Sequence, residues 1–343
     1  MSIKSTKSGK KDKKMKSISF SKGIEKDINI NISQGYYKEF SKRYASKYGT
    51  LMIIDSNLKN HLNPGTDKNI FYVKGGNETK YFDKYLELCK IVVEGSYSNL
   101  VVIGGGSLID MVGYVFHTLD FPTGTLTVMP TTLSSMIYLP VSGEFYLDMN
   151  YTRNFLKVRG YPDLVYIDPY FCKFLDKKDM KNHFFLGYIL GLLFDNNFAS
   201  LSLKYSKNFI RLDLEDYLYS AVKFVLSLYS NDLPFPGTKL MKYIADTSVK
   251  SDFVQSESLS FAFLLYLSFK FGYIHEESFQ EIFEKIRSFE DLKSSKIQNI
   301  KAKVNNVPIR EILLKEDGFV DLLLNFGELK DLLLEFKSLL RGV

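Results

Sequence analysis

The stretch that most constrains this chain is Asn99–Gly113, NLVVIGGGSLIDMVG. Leu100-Val101-Val102-Ile103 is a short apolar run that predicts a buried strand. Three glycines follow at once, and Leu108, Met111, Val112 and Val115 then recur at helical spacing. The predicted order is strand, glycine turn, helix. Glycines Gly104, Gly105 and Gly106 let the chain turn tightly and let a ligand approach backbone N–H groups. A helix beginning near Ser107 adds unpaired N–H groups and the positive end of its dipole. Ser107 and Asp110 fit a capping box, S-x-x-D. Two readings fit the turn: a cradle for the phosphate of a nucleotide, or a tight connection that only packs the helix on its strand. The pattern is neither G-x-G-x-x-G nor G-x-x-x-x-G-K-[ST].

The flanking sequence supplies a sheet for that strand. Ile28–Ser33 alternates strictly and predicts an edge strand, and Gly35–Lys47 a helix. Thr50–Asp55 is a buried strand ending in an acid. Ile70–Val73 is a strand followed by the turn Gly75-Gly76, and Lys80–Glu94 is an amphipathic helix. Thr125–Met129 is a strand closed by Pro130-Thr131-Thr132. This alternation predicts a parallel, doubly wound, Rossmann-like sheet. Its ligands sit past the carboxyl ends of the strands, where Asp55, the glycines, Thr131 and Thr132 fall. Val141–Asp148 and Phe155–Val158 read as a hairpin around Asn150, and Leu164–Ile167 as the last strand. Beyond Asp176 helices are predicted at Asn182–Leu203, Asp213–Tyr229, Lys239–Thr247, Ser256–Phe271 and Glu276–Phe289. The expected organisation is a basic, disordered tail over residues 1–17, an α/β domain over 18–175 and an all-α domain over 176–343, with a ligand cleft between the two domains. An amphipathic stretch, Gly327–Leu340, packs either on the helical domain or on a second subunit in a homodimer.

Composition narrows the function classes. No apolar run reaches the ~18 residues of a membrane span, and the N-terminus lacks the apolar core of a signal peptide. Cys89 and Cys172 are far apart and without metal-ligand spacing, which predicts reduced thiols and a cytoplasmic location. Net charge is +6; within residues 1–17 seven lysines oppose only Asp12, and seven minus one accounts for the whole excess. A near-neutral body argues against a broad nucleic-acid-binding face. The tail reads as a solvated arm, or as a weak contact to nucleic acid or an anionic surface.

GGGSLIDMVGYV, MPTTLSS and YPDLVYIDPYF together resemble the dehydroquinate synthase family, which is grouped with glycerol dehydrogenases and iron-type alcohol dehydrogenases, over roughly residues 50–275. The resemblance implies an NAD-binding α/β domain followed by a helical, metal-binding domain. It places Asp55, Lys80, Gly104, Gly105, Gly106, Asp110, Thr131 and Thr132 at cofactor contacts, with Ser107 in the same turn; Asn77 replaces a family acid. The metal set departs. Leu186 stands at the family's glutamate and Ile189 at its lysine. Leu233–Gly237 ends in glycine where a histidine is expected, and no histidine occurs around Phe253–Glu257. Tyr138, Glu144 and Asp148 replace an aspartate, a lysine and an asparagine. Leucine and glycine side chains offer a cation no lone pair, and Glu144 inverts the charge where a phosphate or carboxylate would dock. Of His61, His117, His183 and His275, none forms an i, i+4 pair. His183, one turn before Leu186, is the best remaining candidate ligand, while Asp195-Asn196-Asn197 fits either an ion site or a polar helix end. The expectation is a pseudoenzyme that binds NAD or another nucleotide, with no metal and no assigned catalytic residue. The alternatives are an active dehydroquinate synthase-like lyase or NAD-dependent alcohol or polyol dehydrogenase with a divergent site, and a nucleic-acid or membrane-surface binder acting through the tail.

Overall fold

A computed structural model describes residues 15–21, 27–45, 47–62, 69–76, 78–121, 123–150, 152–208, 213–244, 253–289, 292 and 308–341. The chain forms two compact units, residues 1–175 with 213–223, and residues 176–212 with 224–343.

The first unit runs β1 (Lys16–Ser21), β2 (Asp27–Ile32), α1 (Tyr37–Ala45), β3 (Thr50–Asp55), a 3-10 turn, α2 (Lys59–Leu62), β4 (Ile70–Val73), α3 (Phe82–Glu94), β5 (Asn99–Gly104) and α4 (Gly106–Thr118). It continues through β6 (Leu126–Pro130), α5 (Leu133–Ser142), β7 (Glu144–Met149), β8 (Thr152–Arg159), β9 (Leu164–Ile167) and a second 3-10 turn, Pro169–Phe174. Seven strands make one sheet in the order β1-β2-β9-β6-β5-β3-β4; β7 and β8 pair separately. Every pairing in the large sheet is parallel except β1 with β2. The winding starts at β3, steps out to β4, then returns past β3 to β5, β6 and β9. The direction therefore reverses between β3 and β5, and such reversals open the ligand crevice of doubly wound folds.

The apolar runs of β3, β5 and β6 are buried, as strands covered on both faces must be. Leu108, Met111, Val112 and Val115 of α4 lie in the same core as Leu100, Val102 and Phe145. Gly113 permits this closeness, because a Cβ there would stand 2.2 Å from Phe145 Cδ1. At the end of β9 the fully buried Asp168 accepts N–H bonds from Gly35 (2.8 Å), Tyr37 (2.9 Å) and Tyr170 (2.9 Å). It thereby ties β9 to the start of α1.

Three expectations for this unit need correction. The strand expected at Ile28–Ser33 is not at an edge: β2 lies between β9 and β1, which takes the edge. Lys16 and Ser17 are not part of a disordered tail: both lie in β1, and Lys16 forms an ion pair with Asp216. Residues 1–14, which hold the other six lysines, lie outside the described residues. Val141 and Ser142 belong to α5 rather than to the hairpin. A reciprocal Thr132–Ser135 capping box starts that helix, and Gly143, at φ +65°, ends it.

The second unit contains α6 (Lys177–Phe194), α7 (Asn196–Lys207), the part of α8 (Glu215–Ser230) beyond Lys223, α9 (Thr238–Ile244), α10 (Phe253–Lys270) and α11 (Glu276–Phe289). A hairpin, β10 (Pro308–Leu314) with β11 (Phe319–Asn325), and α12 (Phe326–Leu339) complete it. The expected helix Asn182–Leu203 is two helices. Asp195 is extended at φ −162°, and its carboxylate accepts the Asn197 N–H at 2.9 Å. Gly191 lets α7 fold back, since a Cβ there would meet Ala199 N at 2.2 Å. The hairpin was not foreseen; it turns at Gly318, φ +90°, with Lys315 N–H bonded to Gly318 O at 2.9 Å. Of the two homes expected for Gly327–Leu340, the chain uses its own unit: Leu329, Leu333 and Phe336 are buried, and the Phe336 ring lies 5.3 Å from Phe263. No helix among the described residues is long and apolar enough to cross a membrane.

Candidate functional site: the glycine turn and its surroundings

The turn after β5 lies at the reversal of the sheet. Gly105 is the N-cap of α4 and makes no side-chain capping bond. The Leu108 and Ile109 N–H groups both bond to Gly105 O at 3.1 Å. The N–H groups of Gly106 and Ser107 thus stand at the open end of the helix, ahead of the first intrahelical acceptor. The expected Ser107–Asp110 capping box does not form, because Asp110 is turned into the interior toward Lys80. Thr131 and Thr132 do meet the glycines. Thr131 N–H bonds to Gly104 O at 3.0 Å, and a Cβ on Gly105 would touch the Thr132 methyl at 3.3 Å. A Cβ on Gly106 would make ordinary contacts with Leu139 Cδ1, at 3.7 Å, and Ser135 Cβ, at 4.0 Å. The Thr132 hydroxyl is engaged in capping α5 through Ser135, at 2.7 Å.

Asp55 ends the neighbouring strand, one residue beyond the Ile54–Ile103 pairing. Its Oδ1 accepts the N–H groups of Asn57 (3.0 Å) and Gly75 (3.2 Å), so the acid also ties β3 to the turn after β4. A cleft of about 510 Å³ lies alongside, bounded by Phe71 and Tyr72 of β4, Gly75, Gly76 and Thr79 of the turn, Leu88 of α3 and Met111 of α4. That volume is within the range of small-molecule sites.

Lys80 and Asp110 form a buried network. Lys80 Nζ lies 2.8 Å from Asp110 Oδ2, 2.6 Å from Asn154 Oδ1 and 3.9 Å from Asp148 Oδ1. The backbone closes the ring: Asp148 N–H bonds to Lys80 O at 2.9 Å and Asn154 N–H to Asp148 Oδ1 at 2.8 Å. Burial pushes both carboxyls up, against the pull of the Lys80 ammonium. Asn154 joins through a left-handed backbone, φ +52°, which asparagine tolerates. Sequence reasoning missed it, and its residue type inside a strand was the one available signal.

The expected charge inversion at Glu144 is locally compensated. Lys157, on the facing strand β8, places Nζ 2.9 Å from Glu144 Oε1, and the Tyr146 hydroxyl donates to Oε2. Burial raises the Glu144 carboxyl, but these two bonds overcome it and the net shift is downward.

In the second unit the residues at the expected metal positions are apolar or solitary. Leu186 is buried on α6. Burial pulls His183 down to about 4, with Asp176 the charge opposing that shift. Gly237 N–H donates to Glu311 Oε2 at 3.0 Å, and Lys239 and Leu240 N–H donate to Oε1 at 3.1 and 2.8 Å. Glu311, on the unforeseen hairpin, is thus the carboxylate that caps the start of α9 and holds the end of the Leu233–Gly237 loop. Burial pushes it up to about 7, and pushes Glu257 of α10 up to about 8. Among the described residues no three His, Cys, Asp or Glu side chains converge in a metal-binding group. His117, also considered, has its ring stacked on Phe145 at 5.4 Å and a buried Nε2 with no hydrogen-bond partner.

Comparison with known proteins agrees with this architecture. Residues 70–182 match the family model "3-dehydroquinate synthase N-terminal". The 3-dehydroquinate synthase of Sulfolobus acidocaldarius is 26% identical over 172 residues, which are 48% of this chain and 48% of that protein. That of Clostridium botulinum is 23% identical over 237 residues, 63% of this chain and 66% of that protein. The chain thus spans about half to two thirds of the length of these relatives. Among solved structures, 2-epi-5-epi-valiolone synthase from Streptomyces hygroscopicus, with NAD+ and Zn2+ bound, superposes with a TM-score of 0.69 at 15% identity, covering 93% of this chain and 98% of that one. A 2-deoxy-scyllo-inosose synthase complexed with carbaglucose-6-phosphate, NAD+ and Co2+ gives 0.68 at 14% identity, covering 94% and 99%. These superpositions show a shared fold. The family-model match, the relatives and the shared fold together support a dehydroquinate synthase-like family for this chain.

Proposed function

We propose that this protein binds NAD or a related nucleotide at the carboxyl ends of β3 and β5 and has lost the metal-dependent chemistry of its enzyme family. The observation that carries the reading is the glycine turn at the reversal of the sheet. It leaves the Gly106 and Ser107 N–H groups open at a helix N-terminus, beside Thr131 and Asp55. The chain fits the cofactor there, since Gly106 has no neighbour closer than 3.7 Å to a Cβ and Gly105 sits too close to Thr132 for a larger residue without adjustment. Gly104, Gly105, Gly106, Ser107 and Thr131 would hold the phosphates, and Asp55 a ribose. NAD, when bound, accepts a hydride. Lys80 and Asp110 act on the site indirectly, by fixing the second turn of α4 against β7, and Thr132 acts as a cap.

Two named neighbours hold Zn2+ or Co2+; the described residues of this chain do not fit such an ion. Leu186 supplies no donor and His183 stands alone at the expected place. A second reading, an active enzyme with a divergent site, draws on the neighbours of the same fold, which hold NAD+ together with Zn2+ or Co2+. Titration calorimetry with NAD, NADP and ADP, together with metal analysis of the purified protein, separates the readings. Saturable nucleotide binding without metal supports the first. A stoichiometric tightly held zinc, iron or cobalt supports the second, and the lack of any nucleotide binding removes the first.

A further inference from the structure

We propose that the face of the first unit built by α1, α2 and the 3-10 turn Pro169–Phe174 binds single-stranded nucleic acid. The body of the chain is near neutral, but its charge is not evenly spread. Lys38, Lys42, Arg43, Lys47, Lys59 and Lys173 are all exposed on or beside these elements. Among the described residues of the three elements, Glu39 is the one acid. Exposed lysines elsewhere on the unit meet acids, as Lys84 meets Glu87 at 2.8 Å and Lys90 meets Glu94 at 3.7 Å. The five lysines of this face pair with no carboxylate among the described residues. Like charges gathered without partners repel one another, and a polyanion supplies the missing counter-charge.

Aromatic rings hold the three elements side by side. Tyr37 of α1 stacks on Tyr170 at 4.7 Å, Tyr170 meets Phe174 edge-on at 5.2 Å, and Phe174 stacks on His61 of α2 at 4.1 Å. Ammonium groups lie over this layer: Lys173 over Tyr170 at 4.9 Å, Lys47 over Tyr44 at 5.6 Å and Lys38 over Tyr37 at 5.9 Å. Such contacts keep long side chains near the surface and make the cations a set array. Open rings stand beside it. Tyr48, in the turn after α1, is 100% exposed, and His61 stays exposed with one ring face on Phe174. Single strands use this combination, with phosphates on the cations and unstacked bases on the rings. A duplex keeps its bases stacked away from such rings. An anionic membrane is less suited, because binding at a lipid surface needs an apolar face to insert. Apart from Tyr48, no large apolar side chain described on these elements is exposed.

Fluorescence anisotropy of the full chain with labelled oligo(U), oligo(dT) and a duplex of equal length tests this. Single strands should bind, with log Kd linear in log salt. Lys42→Ala with Lys47→Ala should lower that slope by about 1.4, at about 0.7 per lost phosphate contact, and weaken binding by about 25-fold at about 0.1 M salt. Tyr48→Ala should weaken it by about fivefold or more without changing the slope, and Tyr48→Phe should restore it. Neither variant should move the thermal transition, because the positions are exposed. The lysines of residues 1–14 are a separate source of attraction for a polyanion, so both variants are repeated with those lysines changed to serine; the same losses are expected. Preference for oligo(U) or for oligo(dT) names the strand, and either supports the proposal. Four results overturn it: no binding of either strand at low salt, binding untouched by the Lys42 and Lys47 changes, a duplex held as tightly as a single strand, or phosphatidylserine vesicles bound while both strands are not.

Discussion

The two units bury charge in opposite ways. In the first, a buried ion meets a counter-ion or a set of donors: Lys80 lies among Asp110, Asp148 and Asn154, and Asp168 accepts three backbone N–H groups. In the second, the described residues His183, Glu257 and Glu311 are shifted chiefly by desolvation rather than by a counter-ion. His183 is pulled down to about 4, Glu257 is pushed up to about 8, and Glu311 reaches about 7 despite its three N–H donors. Paired charges make a unit sensitive to loss of a partner; solitary ones make it sensitive to pH. The pairing also explains how one lobe keeps a shaped polar end to its sheet while the other closes over an apolar interior.

The sharpest way to break this contrast is to remove the shared cation. Lys80→Met leaves Asp110 and Asp148 buried without it and should cost the first unit about 3–5 kcal/mol near neutral pH. The cost should shrink in acid, where the carboxyls protonate; urea unfolding at two pH values measures it. A variant as stable as the parent would remove the network from the account. In the second unit, Gly191→Val drives a side chain into the Ala199 backbone, 2.2 Å from where a Cβ would stand, and should cost about 3 kcal/mol by the same assay.

The pH predictions have opposite signs within the second unit. Burial holds His183 neutral in the fold, so the stability it contributes is present above its unfolded value of about 6.5 and is lost as pH falls from there toward about 4. Glu257 and Glu311 are raised, so their contribution is full below about 4.5 and is lost as pH rises through about 7 and about 8. The windows overlap between about 4.5 and about 6.5, where the two carboxyls outweigh the one imidazole, so the stability of this unit should peak near pH 4.5 and fall on either side. Glu257→Gln should flatten the alkaline limb and His183→Asn the acid one, as melting temperatures across pH 4–9 would show.

The smallest stability effect belongs to the functional test. Gly106→Glu places a carboxylate at the first turn of α4, where the helix dipole favours it and the nearest neighbour of a Cβ is Leu139 at 3.7 Å. Stability should change by less than about 1 kcal/mol, while the repelled phosphate lowers nucleotide affinity at least about tenfold.

How much of this was legible in the sequence follows from the range of the interactions. β3, β5, β9 and the glycine turn are written in contiguous apolar runs and a glycine cluster, and α11 was read over the same residues, Glu276–Phe289, that form it. The α6–α7 break left a signal in Asp195-Asn196-Asn197, a polar helix end, but the helical pattern on both sides ran through it and one helix was read. α5 was hidden by Pro140. The hairpin did leave a signal, Asp317-Gly318 between two apolar runs, of the kind that marks tight turns. The site was legible as a list of positions but not as partnerships. Lys80 with Asp110, Glu144 with Lys157 and Glu311 with the Leu233–Gly237 loop join residues far apart in sequence, and no local periodicity encodes them.

The central claim is a nucleotide cradle that works without a metal, and calorimetric titration of NAD into chelator-treated full-length protein tests it most directly. The account predicts saturable binding, the same with and without added zinc, and a metal content far below one per chain. No heat of binding at millimolar NAD, or binding that appears only when zinc is restored, would contradict it.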